Sequence, residues 1–290
     1  LMELKKREII KNKISNIKKI NKRIFFKGIE THDYSQFINK LKSLNFVLKI
    51  LKKLSAGYIY VLKVSIDSKK LDYEKKKQKI FEKKNKPINP KIKTGTKNGF
   101  YLSKNLDPTG YKTFDKSFYF FSWNEDKIGI YNKIINIYKP LKILNGLKKN
   151  EITKNKPRDG IVERLHVINY PIKSGQISRH FDPIKVSIFN FGLYATEYGK
   201  DYTKGGFFVL SSKNKKINID KRIKKGDIVL FFPSLVHGVD KVKKIKNSTS
   251  DGRWFINVNN VESHEVKNRE YTRKYWDEYM EKNKYKKNSK

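Results

Sequence analysis

Lys225-Gly226-Asp227-Ile228-Val229-Leu230-Phe231-Phe232-Pro233-Ser234-Leu235-Val236-His237 is the run on which the reading of this chain turns. The apolar segment that follows Lys225-Gly226 has the length and composition of a buried strand, and Pro233-Ser234 marks its end. His237 therefore sits just beyond a rigid strand end, where a side chain is held still enough to act as a ligand.

Upstream lies Arg179-His180-Phe181-Asp182. His180 and Asp182 are two apart, so an extended segment points both the same way. Strand-like sequence separates them from His237, as expected if a barrel folds back to bring the three together. Two His nitrogens and one carboxylate oxygen on one face of Fe(II) leave three positions open for an oxidisable co-substrate and dioxygen.

Downstream, Gly252-Arg253-Trp254-Phe255-Ile256-Asn257-Val258-Asn259 reads as a second strand. Its period of two puts Arg253, Phe255, Asn257 and Asn259 on one face and Trp254, Ile256 and Val258 on the other. An Arg that points into a barrel is costly unless it meets an anion. A dicarboxylate co-substrate supplies one through a planar fork that Lys reproduces poorly. With nine Arg against fifty-eight Lys in the chain, an Arg at this position is a specific choice.

With these residues in place the chain resembles the 2-oxoglutarate and Fe(II)-dependent oxygenases, most closely their prolyl-hydroxylase-like branch. Four blocks carry the resemblance, in the family's order and across roughly residues 160 to 260. They are Tyr170-Pro171 with Arg179 to Asp182; Gly205-Gly206-Phe207-Phe208-Val209-Leu210; Gly226 through Val239; and Arg253 to Val258. The resemblance implies a mainly β double-stranded β-helix, or jelly roll, flanked by N-terminal and C-terminal helices. It implies His180, Asp182 and His237 as iron ligands, Arg253 for the distal carboxylate of 2-oxoglutarate, and Tyr170 as a hydrogen-bonding wall of that pocket. The cofactor set is then Fe(II), 2-oxoglutarate and dioxygen.

Departures from the pattern bear on the substrate. Many relatives place a second Tyr where this chain has Phe191, so that contact is lost or comes from Ser187, Asn257 or water. Phe207 is apolar where a polar residue often follows the paired glycines. Lys241 to Asp251 is longer and richer in Lys, Ser and Asn than the short turn usual there. His166 is a competing ligand candidate, but its place between Arg164 and Tyr170 reads better as a packed, hydrogen-bonded strand His.

Composition bounds the rest. A chain of 290 residues with 37% hydrophobic and 13% aromatic content buries a sizeable core despite 33% charged residues. The absence of cysteine excludes disulfides, zinc-thiolate sites and thiol nucleophiles. Leu1 to Arg7 shows no apolar signal core and no stretch approaches membrane-spanning length, so the expectation is a cytoplasmic protein. The net charge of +39, from 67 basic and 28 acidic residues, attracts nucleic acid, acidic protein or a phosphorylated metabolite. Its Lys excess also fits A/T-rich coding, and a nucleic-acid partner is the weaker reading.

Three regions are expected. Residues 1–99 form an N-terminal helical and strand support, residues 100–262 the oxygenase core, and residues 263–290 a C-terminal helix and tail. Ile9, Ile10, Ile14, Ile17 and Ile20 lie near helical spacing, and Asp33 or Ser35 caps a helix through Phe37, Leu41 and Leu44. Tyr58 to Ile66 reads as a strand, Lys83 to Gly99 as a loop and Phe118 to Trp123 as a core strand. Residues 127–139 read as an amphipathic helix stopped by Pro140, and Lys148 to Gly160 as a polar loop. Tyr271, Tyr275 and Tyr279, with Trp276 and Met280, mark an amphipathic helix.

The expected activity is hydroxylation of an unactivated C–H bond in an amino acid or other small metabolite. A peptidyl, prolyl-type hydroxylase is the alternative, and so is a non-enzymatic basic nucleic-acid-binding protein on an oxygenase fold.

Overall fold

The computed structural model describes residues 2–265 apart from 20–22, 64–67, 89–90, 105–111, 128, 183, 185–186 and 247. The N-terminal part comprises α1 (Met2–Lys19), β1 (Gly28–Asp33), α2 (Tyr34–Lys40), α3 (Leu44–Ser55), β2 (Tyr58–Lys63), α4 (Ser68–Lys84), β3 (Gly99–Lys104), β4 (Thr113–Phe121) and α5 (Tyr131–Tyr138). The eight strands that follow are β5 (Ile161–Pro171), β6 (Gln176–His180), β7 (Asn190–Tyr194), β8 (Gly206–Leu210), β9 (Lys216–Asn218), β10 (Ile228–Phe231), β11 (His237–Asp240) and β12 (Gly252–Glu262).

These eight strands form two antiparallel halves, ordered β10-β7-β12-β5 and β6-β11-β8-β9. The chain crosses from one half to the other at nearly every connection, which is the jelly-roll winding expected of a double-stranded β-helix. β4 joins the halves by pairing with both β5 and β6. On the far edge β2 pairs with β10, and β1 runs parallel to β2, so the N-terminal region adds two strands to the first half.

Alternation along β12 decides which side is which. Trp254, Ile256 and Val258 are buried against helical residues such as Val47, Leu51, Ile134 and Tyr138. Burying an Ile or Val side chain contributes about 2 kcal/mol, so this outer face holds the helices on the sheet. Arg253 and Phe255 point the other way, into a second core with Ile168, Tyr170, Tyr194, Phe207 and Phe231.

Several local expectations change. The helix read through Leu44 is two helices, because the Ser43 hydroxyl accepts from the Phe46 N–H and starts α3 afresh. Asp33 caps α2 as expected, accepting from the Gln36 N–H at 2.9 Å. Ile10, Ile14 and Ile17 are buried on α1, whereas Ile9 is exposed. α4 occupies a Lys-rich stretch and runs to Lys84, the start of the expected loop. Pro140 does not end the helical path but opens the 3-10 helix Lys139–Asn145, where its missing N–H costs nothing. The expected C-terminal helix around Tyr271 to Met280 lies outside the described residues. Among the described residues no helix is long and apolar enough to cross a membrane.

Candidate metal centre

His180 ends β6 and His237 begins β11, and the two are direct partners in the strand register. Their rings lie 4.2 Å apart between centroids. Asp182 follows two residues later and is fixed by its own backbone, whose N–H donates to the Pro233 carbonyl at 2.9 Å. Its Oδ1 is 3.7 Å from His180 Nε2 and its Oδ2 is 3.6 Å from His237 Nε2. One ligand atom from each of the three residues falls within 4.8 Å of the others.

Both imidazoles are set in the same tautomer. His180 Nδ1 lies 2.8 Å from the Ser178 carbonyl and His237 Nδ1 lies 2.8 Å from the Leu235 carbonyl. A carbonyl only accepts, so each Nδ1 carries the proton and each Nε2 turns its lone pair toward Asp182. Burial pushes the His237 imidazole down to about 4, aided by the neighbouring His180 and opposed by Asp182. His237 is thus neutral at pH 7, the form that binds a metal. Phe231 and Phe207 flank its ring at 5.0 and 5.8 Å. Asn190 on β7 donates to Asp182 Oδ2 at 2.6 Å, turning the carboxylate toward the two histidines. Two imidazole nitrogens and one carboxylate oxygen are the donor set that fits Fe(II).

Arg253 is inside the barrel as the alternation requires, but a carboxylate of the chain already meets it. Arg253 Nε donates to Asp220 Oδ2 at 2.8 Å and Nη2 donates to Oδ1 at 3.2 Å. The two side chains are 1% and 0% exposed. Tyr194 and Tyr202 donate their hydroxyls to the same carboxylate at 2.7 and 2.6 Å, and the Phe207 N–H donates at 2.9 Å. Burial opposes the charge on Arg253, yet the adjacent Asp220 outweighs it and holds the guanidinium well above its ordinary value. Burial and Asp220 together keep both tyrosines protonated, well above the usual phenol range.

The other expected site residues divide between the two faces. Tyr170 lies on the inner face with its ring 5.6 Å from the Arg253 guanidinium, across the β5–β12 pair. Burial raises its hydroxyl well above the usual phenol range. Asn257 is on the same face, and its Oδ1 is buried without a hydrogen-bond partner among the described residues. Ser187 is drawn instead toward the helix layer beside the Tyr138 hydroxyl, away from Arg253. Phe191 also faces the helices, 5.4 Å from the Tyr138 ring. The inward tyrosine of β7 is Tyr194, three residues later. His166 bonds Ser117 Oγ at 2.8 Å and packs 4.6 Å from the Tyr119 ring, the strand role expected of it.

Asp220, Tyr194, Tyr202 and Asn190 are the residues that sequence reasoning missed. One signal for Asp220 was present in the paired glycines. Gly206 has φ +91°, and a Cβ there would stand 2.2 Å from Asp220 Oδ2. The second glycine is required by the carboxylate packed on it.

No family model matches the chain, and neither does any curated protein. Among solved structures it is similar to a putative 2OG-Fe(II) oxygenase family protein from Caulobacter crescentus, at 14% identity over 79% of this chain and 85% of that one, with a TM-score of 0.48. It is also similar to a full-length Neurospora crassa thymine hydroxylase in complex with alpha-KG, at 16% identity over 82% and 86% with a TM-score of 0.46. A Trichoplax adhaerens prolyl hydroxylase in complex with a hypoxia inducible factor peptide fragment gives 11% identity over 78% and 92%, with a TM-score of 0.48. By its own strand order, the chain has the double-stranded β-helix fold expected of the 2-oxoglutarate/Fe(II) oxygenases, with His180, Asp182 and His237 gathered across its β6–β11 pair.

Proposed function

We propose that this protein is a 2-oxoglutarate- and Fe(II)-dependent dioxygenase that hydroxylates an unactivated C–H bond of an amino acid or another small metabolite. The observation that carries the reading is the tautomer-locked pair of histidines facing Asp182. Three buried or half-buried groups arranged by backbone carbonyls and by Asn190 have their ligand atoms turned on one point, which no packing requirement explains.

The residues divide the work. His180, Asp182 and His237 would hold the metal. Tyr170 and Arg253 line the wall where the co-substrate would lie, and Arg253 offers the Nη1 edge that Asp220 leaves unbonded. Held there, iron and 2-oxoglutarate would supply with dioxygen the oxidation that places one oxygen atom in the C–H bond and the other in succinate, with loss of carbon dioxide. Phe207 and Phe231 keep water from the His237 side. A small polar substrate is supported by the inner wall beyond, where Asn257 lies across the strand register from His166 and carries a buried oxygen with no hydrogen-bond partner among the described residues.

The test is to supply the purified protein with Fe(II) and 2-oxoglutarate and to screen amino acids and related metabolites, then peptides, for coupled succinate release. Release that depends on a small substrate and disappears in His237→Ala supports the reading. Release driven only by prolyl peptides would move the substrate to the peptide class. Failure to bind a divalent metal at all would overturn the enzyme assignment.

A further inference from the structure

The anion that Arg253 needs is built into the chain. Asp220, on the short 3-10 helix between β9 and β10, takes five hydrogen-bond donors: two from Arg253 and one each from Tyr194, Tyr202 and the Phe207 backbone. Its side chain is fully buried, and Gly206 lacks the Cβ that would strike it. A carboxylate held this way does not swing aside for a ligand, because leaving would strand a guanidinium, two hydroxyls and an N–H in a closed interior.

This has a direct effect on what Arg253 can read. An arriving carboxylate meets a guanidinium and a carboxylate together, and the attraction to one is largely offset by repulsion from the other. Tyr194 and Tyr202 do not compensate. Each hydroxyl has a single hydrogen, and Tyr194 and Tyr202 have both given theirs to Asp220. What remains is the Nη1 side of the guanidinium, which Asp220 does not bond and beside which the Tyr194 hydroxyl also lies. That edge is a donor surface whose charge is already balanced.

We propose that Asp220 sets co-substrate selectivity. It converts the seat for the far end of a 2-oxo acid from one that selects a negative charge into one that accepts any tail of suitable size. On this account the protein uses 2-oxo acids with a neutral tail nearly as well as 2-oxoglutarate. The inference rests on the oxygenase reading above and sharpens it to a class of co-substrate.

The probe pair is 2-oxoglutarate and 2-oxopentanoate, which differ only in a carboxylate replaced by a methyl group. Their dissociation constants are measured by calorimetry on the protein loaded with Mn(II) in place of iron, so binding is read without turnover. A charge-assisted contact made by an unbalanced guanidinium is worth roughly 10- to 150-fold. Wild type is expected to favour the dicarboxylate by less than about tenfold, and Asp220→Asn, which keeps the shape and removes the charge, to raise that preference by at least about tenfold. A rise in selectivity is not what a merely structural defect produces. A wild-type preference of about a hundredfold or more overturns the inference and leaves the oxygenase reading standing. So does an unchanged preference in an Asp220→Asn protein that unfolds cooperatively like wild type. If that variant does not fold, the wild-type ratio decides alone. Binding of neither acid to Mn(II)-loaded protein overturns the oxygenase reading and the inference with it.

Discussion

Two charged clusters lie inside the same barrel and are built on opposite terms. At the metal centre the backbone does the arranging: Ser178 and Leu235 carbonyls take the Nδ1 protons, and the Asp182 side chain stays 39% exposed. At Arg253 side chains satisfy one another, and Asp220 is closed off with every oxygen engaged. The first turns its ligand atoms toward one point and the second closes its charges on each other. A site that is to take up a ligand should resemble the first, and a cluster that fixes the fold the second. Arg253 belongs mainly to the second kind, with one edge left for the first.

Mutations should separate the two. His180→Ala or His237→Ala removes one of three protein ligands, and iron affinity should fall by more than the roughly 100-fold that a ligand's hydrogen-bond partner is worth. Succinate formation should be abolished. Iron content and turnover read the effect, and full activity in either variant would dismiss the metal centre. Arg253→Ala should act on stability instead. It leaves Asp220 buried without its counter-ion, at a cost of about 3–5 kcal/mol. Urea unfolding of the metal-free protein measures this, and a stability unchanged from wild type would show that Asp220 does not depend on Arg253.

The two clusters also differ in how far they were legible in the sequence. His180, Asp182 and His237 announce themselves through spacing and through the apolar run Ile228 to Phe232. The inward face of β12 follows from the period of two. Asp220 sits among Lys216, Lys221, Arg222 and Lys224, where an acidic residue reads as solvated surface. Its burial is decided by how β9 and β10 wrap, which no local pattern records. β1 was missed for a related reason: Gly28-Ile29-Glu30-Thr31-His32-Asp33 is an edge strand whose mixed polarity gives no clean alternation. α4 is Lys-rich and lacks a strong apolar face, and it is held by contacts such as Leu71 in the core and the Lys116–Glu82 ion pair. Phe191, which stands where many relatives of the resembled family place a Tyr, turns to the helices because the register of β7 is fixed by its partners β10 and β12.

Another buried carboxylate, Asp115, sharpens the contrast because it has no counter-ion among the described residues. Asp115 on β4 has Ser117 as its hydrogen-bond donor, and burial pushes it up to about 6. In the unfolded chain an Asp titrates near about 3.9. Between these values the folded state holds more protons than the unfolded one, so stability falls as pH rises from about 4 to about 6 and then levels off. The penalty is about 3 kcal/mol at pH 7. Asp115→Asn should therefore raise stability at pH 7 and change it little at pH 4. Denaturant midpoints at the two pH values decide this, and equal effects at both would mean that the side chain is ionised without cost.

The smallest expected effect lies at Asn190, and it tests whether the metal centre is as independently arranged as the comparison holds. Asn190 touches Asp182 Oδ2 and reaches it from β7, the opposite half of the barrel. This side-chain contact ties the carboxylate to the other half, whereas the Asp182 backbone is held by Pro233. Asn190→Ala should let the carboxylate rotate while leaving both histidines in their tautomers, weakening iron affinity by about 10-fold, the low end for the hydrogen-bond partner of a ligand. The histidines should continue to bind metal, so a Mn(II) titration would show a weaker site and not an absent one. Asn190→Asp should weaken it further, because the donor becomes a second negative charge 2.6 Å from the first and the pair must share a proton or move apart. Unchanged affinity in both variants would show that the backbone alone positions Asp182, which would make the metal centre wholly the work of the β6–β11 pair.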